Sequence, residues 1–362
     1  MRRVPEFDSI RAIAAAAILL FHLDPMRFYP GWSGVDLFFV LSGYLITRNI
    51  LEYGDSRGFL ARFYARRSLR IWPIYYLALL ALVAINPFLS PPEPMAALPW
   101  YVTYTQNLWL LRPWPAPSFT HAFDHTWTLA IEEQFYLIWP ALVLVAGRRH
   151  LATLCFMAMA MAVAARSGGY LFFFNSASSE RLLYARCDGF ALGGLLSLWP
   201  ARGRGTDDMA PLGRLVFGLA AAGSLTYLVH GAWRYGGVGF IGLPTPSEPG
   251  PIIFAFSLLY AGLVGLVLVH AGRPVLAPLR ARWLVSLGQM SYGIYLYHYI
   301  VYWAVDRWWP RADGTLWGGA IKVAISLAIA AASWHAVERP ILGLKDRFCY
   351  GTSGPKAPRR AK

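Results

Sequence analysis

Apolar runs close to bilayer-crossing length recur along nearly the whole chain, at 10–23, 35–51, 71–89, 127–146, 151–165, 183–199, 212–230, 252–270, 284–305 and 317–337. A segment that crosses lipid has no water to satisfy its backbone N–H and C=O groups, and runs of this length satisfy them internally as helices. The pattern predicts an all-α, polytopic integral membrane bundle of about ten transmembrane helices. The first and fifth runs are short for an upright span. Composition agrees, since only 14% of the residues are charged and 57% are hydrophobic; soluble domains carry about 25% charged residues.

Charge sets the orientation. With the N-terminus in the cytoplasm, most of the 33 Lys and Arg residues fall in cytoplasmic segments, as the positive-inside tendency requires, and both termini are then cytoplasmic. The net charge of +14 becomes a property of loops facing anionic lipid. No basic soluble domain is left over to hold nucleic acid, which excludes that partner. Residues 1–344 are expected to form the transmembrane domain, and the basic, Gly-, Ser- and Pro-containing stretch 345–362 a disordered cytoplasmic tail. MRR followed by an Ala-rich run has the look of a signal peptide, but Arg11 interrupts the run and no clean cleavage site precedes the next span. The cysteines Cys155, Cys187 and Cys349 are odd in number and lack metal-ligand spacing, so neither a disulfide framework nor a metal is expected.

Titratable groups inside lipid are costly and are functional by default. The first run carries Arg11 and His22, which share one helix face about 16 Å apart along the axis. Asp8 lies on the same side and can pair with Arg11. The loop after the second run reads RFYARRSLRIWPIYY from Arg62 to Tyr76. Its Arg66, Arg67 and Arg70 crowd the cytoplasmic mouth of the third span, where they suit either a phosphate clamp or a plain positive-inside anchor. HTWTLAIEEQFYLIWP, from His125 to Pro140, opens the fourth span. Glu132 and Glu133 point about 100° apart on a helix, so at least one should face a polar cavity rather than lipid. A carboxylate near an imidazole can hold its tautomer and support it as a general base, while an acid that snorkels or pairs near the interface is the alternative for either residue.

Four further groups are candidates for lining a cavity. Asp36 and Ser42 flank the FFVLSG core of the second run, where they shape a cavity or satisfy backbone at a broken helix. Arg186 and Asp188 are expected to pair with each other between helices. His298, among Tyr292, Tyr295 and Tyr297, suits an acceptor path, although an interfacial aromatic belt accounts equally for the tyrosines. GVGFIG at Gly237–Gly242 matches a dinucleotide fingerprint only formally, with no preceding strand. The Pro-rich stretch from Leu89 to Asp124 reads as a long loop, either a lid or a linker.

Together these segments resemble the bacterial membrane acyltransferase 3 family. The family's Arg-x10-His signature is matched by Arg11 and His22, its GVDLFFVLSG segment runs from Gly34 to Gly43, and its RxxR motif falls at Arg67 and Arg70. Its Trp-Ser-Leu and ExxFY signature appears as Trp127, Thr128 and Leu129, then Glu132, Phe135 and Tyr136, with Thr in place of Ser. RCDGFALGGLL from Arg186, LGQMSYGIYLYH from Leu287 and VERP from Val337 extend the likeness over about the whole chain. The resemblance implies a multi-pass protein of the bacterial inner membrane that moves an acyl group, acetyl from acetyl-CoA, to a hydroxyl of a cell-envelope glycan or lipid-linked saccharide. It further implies an acyl-CoA donor held by Arg66, Arg67 and Arg70, Arg11 either orienting the donor or stabilising charge in its path, Glu132, with Glu133 second, as the carboxylate partner of His22, and no metal. His22 would serve either as general base or as a transient acyl carrier. A secondary-metabolite sugar is an alternative acceptor, and a transporter of a small acid or acylated solute is the alternative of a different class.

Overall fold

The computed structural model describes residues 4–89, 95–109, 119–167, 180–199, 209–235 and 249–350. Among these residues the chain is helical throughout and has no strand, so the all-α expectation holds. The helices are α1 (Pro5–Leu23), α2 (Gly34–Tyr53), α3 (Phe59–Ile85), α4 (Leu98–Val102), α5 (Gln106–Trp109), α6 (Trp127–Ser167) and α7 (Leu183–Leu196). They continue as α8 (Met209–Tyr235), α9 (Pro249–His270), α10 (Arg282–Gln289), α11 (Ser291–Trp308), α12 (Leu316–Ser333) and α13 (Arg339–Gly343).

Six stretches among the described residues are long and apolar enough to cross a membrane: Tyr29–Tyr53, Phe59–Phe88, Ala122–Arg166, Ala210–Val229, Ile252–His270 and Leu316–Phe348. The count differs from the sequence expectation for identifiable reasons. Two expected runs lie in one continuous stretch, where Gly147 at φ 61° and ψ 178° kinks α6. Trp139 and Cys155, eight residues to either side of Gly147, both pack against Gly194 of α7, so the two arms fold back on a common neighbour. Helix α1 carries Glu6, Asp8 and Arg11, α7 has only 14 residues, and α11 is rich in Tyr and carries His298. Short length or polar content keeps these three below the length and apolarity of the six.

Local sequence sets the ends of α1. Pro5 occupies its first turn together with Glu6 and Asp8, where a fixed φ and negative charge both favour a helix start. At the other end Asp24 Oδ1 accepts hydrogen bonds from the backbone N–H groups of Met26 and Arg27, 3.1 Å each, and turns the chain out of the helix. That places His22 in the last turn, directly before the reversal.

Small residues let α2 and α7 approach backbone to backbone. A Cβ on Gly43 would strike the carbonyl of Phe190, and one on Gly193 would strike the carbonyl of Val40. In lipid, where apolar burial between helices contributes little, such close van der Waals contact is the main source of helix association. Phe39, Phe190 and Phe135 stack across the resulting seam, with ring centroids 4.6 Å and 4.0 Å apart.

Two buried ion pairs cross the same seam. Arg186 Nη2 of α7 lies 2.9 Å from Asp36 Oδ1 of α2, and Arg166 Nη2 of α6 lies 2.6 Å from Asp188 Oδ2. The expected Arg186–Asp188 pair is therefore corrected: the two residues are two apart on one helix, point to different neighbours, and each finds its partner on another helix. Residues Leu344–Phe348 form a 3-10 turn, and Tyr350 stacks on Tyr53 at 5.0 Å and on Phe59 at 5.3 Å, so the chain stays packed beyond the boundary expected at 345. Residues 351–362 and the GVGFIG motif lie outside the described residues. The described parts of the expected long loop hold α4, α5 and a 3-10 helix at Phe119–Thr126.

Candidate active site

Three imidazoles meet where α1 ends, where the 3-10 helix ends and in the middle of α11. The ring centroids of His22 and His298 are 5.0 Å apart, those of His125 and His298 5.1 Å, and those of His22 and His125 6.5 Å. Their hydrogen bonds fix which nitrogens carry protons. His298 Nδ1 lies 2.6 Å from the carbonyl oxygen of Tyr295, an atom that only accepts, so Nδ1 of neutral His298 is protonated and its Nε2 is an acceptor. His298 Nε2 lies 3.0 Å from His22 Nδ1, which must then be the donor. Nε2 of His22 is left as the basic nitrogen.

The same Tyr295 carbonyl accepts a second bond from His125 Nε2 at 3.0 Å. The Tyr295 hydroxyl donates to the His125 carbonyl at 2.6 Å and lies 2.6 Å from Thr128 Oγ1. His298 is completely buried. It is the direct hydrogen-bond partner of His22. His22 and His125 line a cavity of about 240 Å³ together with Trp32, Trp127, Glu180 and Arg186.

A second cavity, of about 70 Å³, lies against the first and is lined by Arg11, Arg67, Arg70, Ser42, Glu132 and Tyr136. Val35, Thr128 and Tyr295 border both cavities, so these three side chains form the wall between them. Arg11 Nη1 is 3.4 Å from Asp8 Oδ1, the pairing that the helical spacing predicts. Tyr136 donates to Glu132 Oε2 at 2.5 Å and lies 3.2 Å from Ser42 Oγ, while the Arg67 guanidinium sits 5.1 Å above its ring. Three guanidinium groups thus line one small cavity, and Glu132 is the acid among them.

The sequence-predicted residues therefore separate into two groups. His22, His298 and Arg186 line or support the histidine cavity, with Asp36 holding Arg186 from behind. Arg11, Arg67, Arg70, Glu132 and Ser42 line the arginine cavity. Asp188 is turned into its ion pair with Arg166, and Glu133 accepts from Trp72 Nε1 at 3.1 Å, outside both cavities. Glu132 does not partner His22: its charged neighbours are Arg67, Arg11 and Arg70, and the partner of His22 is another imidazole. Arg66 does not join the other arginines in the cavity. Its Nη1 donates to the Lys345 carbonyl at 2.9 Å and its guanidinium lies over Tyr350.

Four contributors went unseen in the sequence. His125 opens the HTWTLAIEEQFYLIWP segment and Tyr295 stands one turn before His298, so both had a positional signal. Lys345, which sits in the electrostatic reach of Arg66, Arg67 and Arg70, was assigned to the tail. Arg166 had no signal at all, since its partner Asp188 lies 22 residues away on another helix.

Comparison with known proteins places this geometry in a family. The chain is 26% identical to the peptidoglycan O-acetyltransferase OatA of Listeria monocytogenes, over 93% of this chain and 56% of that protein. It is 28% identical to the putative peptidoglycan O-acetyltransferase YrhL of Bacillus subtilis, over 94% of this chain and 55% of the relative. A putative O-acetyltransferase of Staphylococcus aureus is 27% identical over 94% of this chain and 57% of its own length. The chain thus spans about half the length of these curated relatives. No solved structure matches. A family model described as Acyltransferase domain, of the acyltransferase 3 type, matches residues 4–335, and the chain belongs to that family.

Proposed function

We propose that the protein is a multi-pass membrane O-acetyltransferase of the bacterial inner membrane, which moves an acetyl group from cytoplasmic acetyl-CoA to a hydroxyl of an envelope glycan or lipid-linked saccharide. The observation that carries this reading is an oriented imidazole, His22, separated by one shared wall from a cavity lined with three guanidinium groups. The relatives named as peptidoglycan O-acetyltransferases support a glycan acceptor.

The donor set fits a coenzyme A thioester. Arg67 and Arg70 present planar, permanently charged donors suited to phosphate, and Lys345 and Arg66 extend the positive field at the same end. Excess basic charge at this end supports a cytoplasmic side for it. When bound, the thioester supplies the acyl group, and its sulfur leaves as the thiol of coenzyme A.

The chain's own residues perform the proton chemistry. His22 Nε2 takes the proton of the acceptor hydroxyl as its oxygen bonds to the acyl carbon and the carbon–sulfur bond breaks; the departing thiolate then receives that proton from His22. His22 Nδ1–H donates to His298 throughout, and His298 Nδ1–H donates to the Tyr295 carbonyl, so the transient imidazolium meets a fixed chain of acceptors. Trp32 and Trp127 give the acceptor cavity the flat apolar surfaces that sugar rings pack on.

Membrane vesicles supplied with acetyl-labelled acetyl-CoA test the reading. Label is expected in the glycan or lipid-linked saccharide fraction with the natural chain and not with a folded His22→Ala variant. Absence of label with every acyl-CoA tried would overturn the acyltransferase reading and favour transport.

A further inference from the structure

A third cavity, of about 180 Å³, lies between α2, α7, α8 and α9 and shares no lining residue with the other two. Leu195 and Leu196 of α7, Leu212 and Val216 of α8, and Leu258 and Leu268 of α9 line it, with Tyr44 of α2 behind them. Its lining holds no charged side chain among the described residues. Glycines shape it. A Cβ on Gly262 would come within 2.9 Å of the Phe217 backbone, so α8 and α9 touch there. A Cβ on Gly265 would meet nothing nearer than Leu196 at 3.6 Å, and one on Gly213 nothing nearer than Leu266 at 3.6 Å, so the space beside these two stays open. Both α8 and α9 hold stretches long and apolar enough to cross a membrane, and Leu212 is 43% exposed. The cavity therefore opens among membrane-length helices. Empty apolar space forfeits the contacts its lining could make, and the apolar molecules at hand in a bilayer are acyl chains.

One end of this cavity is charged. Trp199 lines the cavity, and its carbonyl accepts a hydrogen bond from Arg48 Nη1 at 3.1 Å. The adjacent Leu198 carbonyl accepts from Arg148 Nη2 at 3.1 Å, and Arg148 is exposed. Arg48 follows Tyr44 by one turn on the same face of α2, toward the end at which Tyr53 stacks on Tyr350. Two guanidinium groups thus stand at the rim of an uncharged, apolar space. Holding the carbonyls that follow α7 occupies one nitrogen of Arg148 and leaves other donors of an exposed guanidinium for an anion.

We infer that this cavity binds an anionic phospholipid, with one acyl chain between α7, α8 and α9 and the phosphate group against Arg148 and Arg48. The match has two parts. A soluble anion meets the guanidinium groups and leaves the apolar space empty. A zwitterionic lipid fills the space but brings its own cation to two others. An anionic lipid satisfies both, and its chain completes the packing of α8 and α9 against α2 and α7. The site involves no covalent step and is independent of acyl transfer.

Full-length protein in nanodiscs tests this with two photoreactive probes that carry the same diazirine-bearing acyl chain, a phosphatidylglycerol and a phosphatidylcholine. Peptides that contain Leu212, Val216, Leu258 or Leu268 are expected to take the label. At equal mole fraction the phosphatidylglycerol should be favoured by about tenfold, the value of one hydrogen bond to a charged group. Arg148→Gln should lower that ratio, and Arg148→Gln combined with Arg48→Gln should bring it to about one. Gly265→Leu, whose side chain grows into the cavity, should remove the label from both probes. Equal labelling by the two lipids in the natural chain, or a preference that survives in the double variant, would overturn the inference. Undiminished label in Gly265→Leu would also count against it. Label that appears only with one copy per nanodisc would assign the groove to a second copy of the chain and overturn it as well. The ratio within one variant does not depend on how much protein folds, which keeps the test decisive if Gly265→Leu is unstable.

Discussion

At the scale of single residues, the arginines divide by what already holds them. Arg70 lines the arginine cavity, whereas Arg66 is committed to the Lys345 carbonyl and the Tyr350 ring. Arg70→Ala is expected to raise the donor KM by about tenfold or more, the cost of a lost charged hydrogen bond, and Arg66→Ala to leave it within about twofold, as for a surface cation. Equal effects in steady-state kinetics would contradict the placement. Glu132 sits among Arg67, Arg11 and Arg70, so Glu132→Gln should change the donor KM and leave the acceptor KM alone. A fall in kcat with both KM values unchanged would return Glu132 to the side of His22. Sequence spacing read the Arg11–Asp8 pair correctly because it lies within one helical turn. It misassigned the partner of His22 because that partner comes from α11, 276 residues away.

At the scale of elements, the seam between α2, α6 and α7 depends on groups that the bilayer cannot solvate. Asp188 and Arg166 are each 1% exposed at the side chain. Asp188→Asn would leave a buried guanidinium without its counter-charge, a change that typically costs about 3–5 kcal/mol. Thermal unfolding in detergent should show a lowered midpoint, with the deficit partly relieved in Asp188→Asn combined with Arg166→Met. An unchanged midpoint would show that the pair does not hold the seam. Apolar periodicity made these helices legible in the sequence, and α7 falls within the apolar run at 183–199. What it could not give was the pairing across them. Arg186 and Asp188 are close in sequence, but a helix turns residues two apart to nearly opposite sides, and each pair is closed by a residue on a different helix.

For the whole molecule, orientation is the testable quantity. Cys155 and Cys187 are buried and Cys349 is exposed at the arginine end, so the chain carries its own reporter. A membrane-impermeant maleimide should label Cys349 in inverted vesicles and spare it in intact cells; the opposite pattern would place the arginine cavity on the wrong side for a cytoplasmic donor. The overall class and the arginine and histidine ends were legible because charge and apolarity are one-dimensional signals. The wall between the cavities was not, because Val35, Thr128 and Tyr295 come from three separate parts of the chain. That wall has an electrical meaning as well as a chemical one. If the cavities open to opposite sides, a few ångströms of side chain separate two compartments that a living membrane holds at different proton potentials, and the 2.6 Å bond from Thr128 to Tyr295 is part of the insulation. In that arrangement, thinning the shared wall would cost the membrane its proton gradient before it widened either cavity for larger groups.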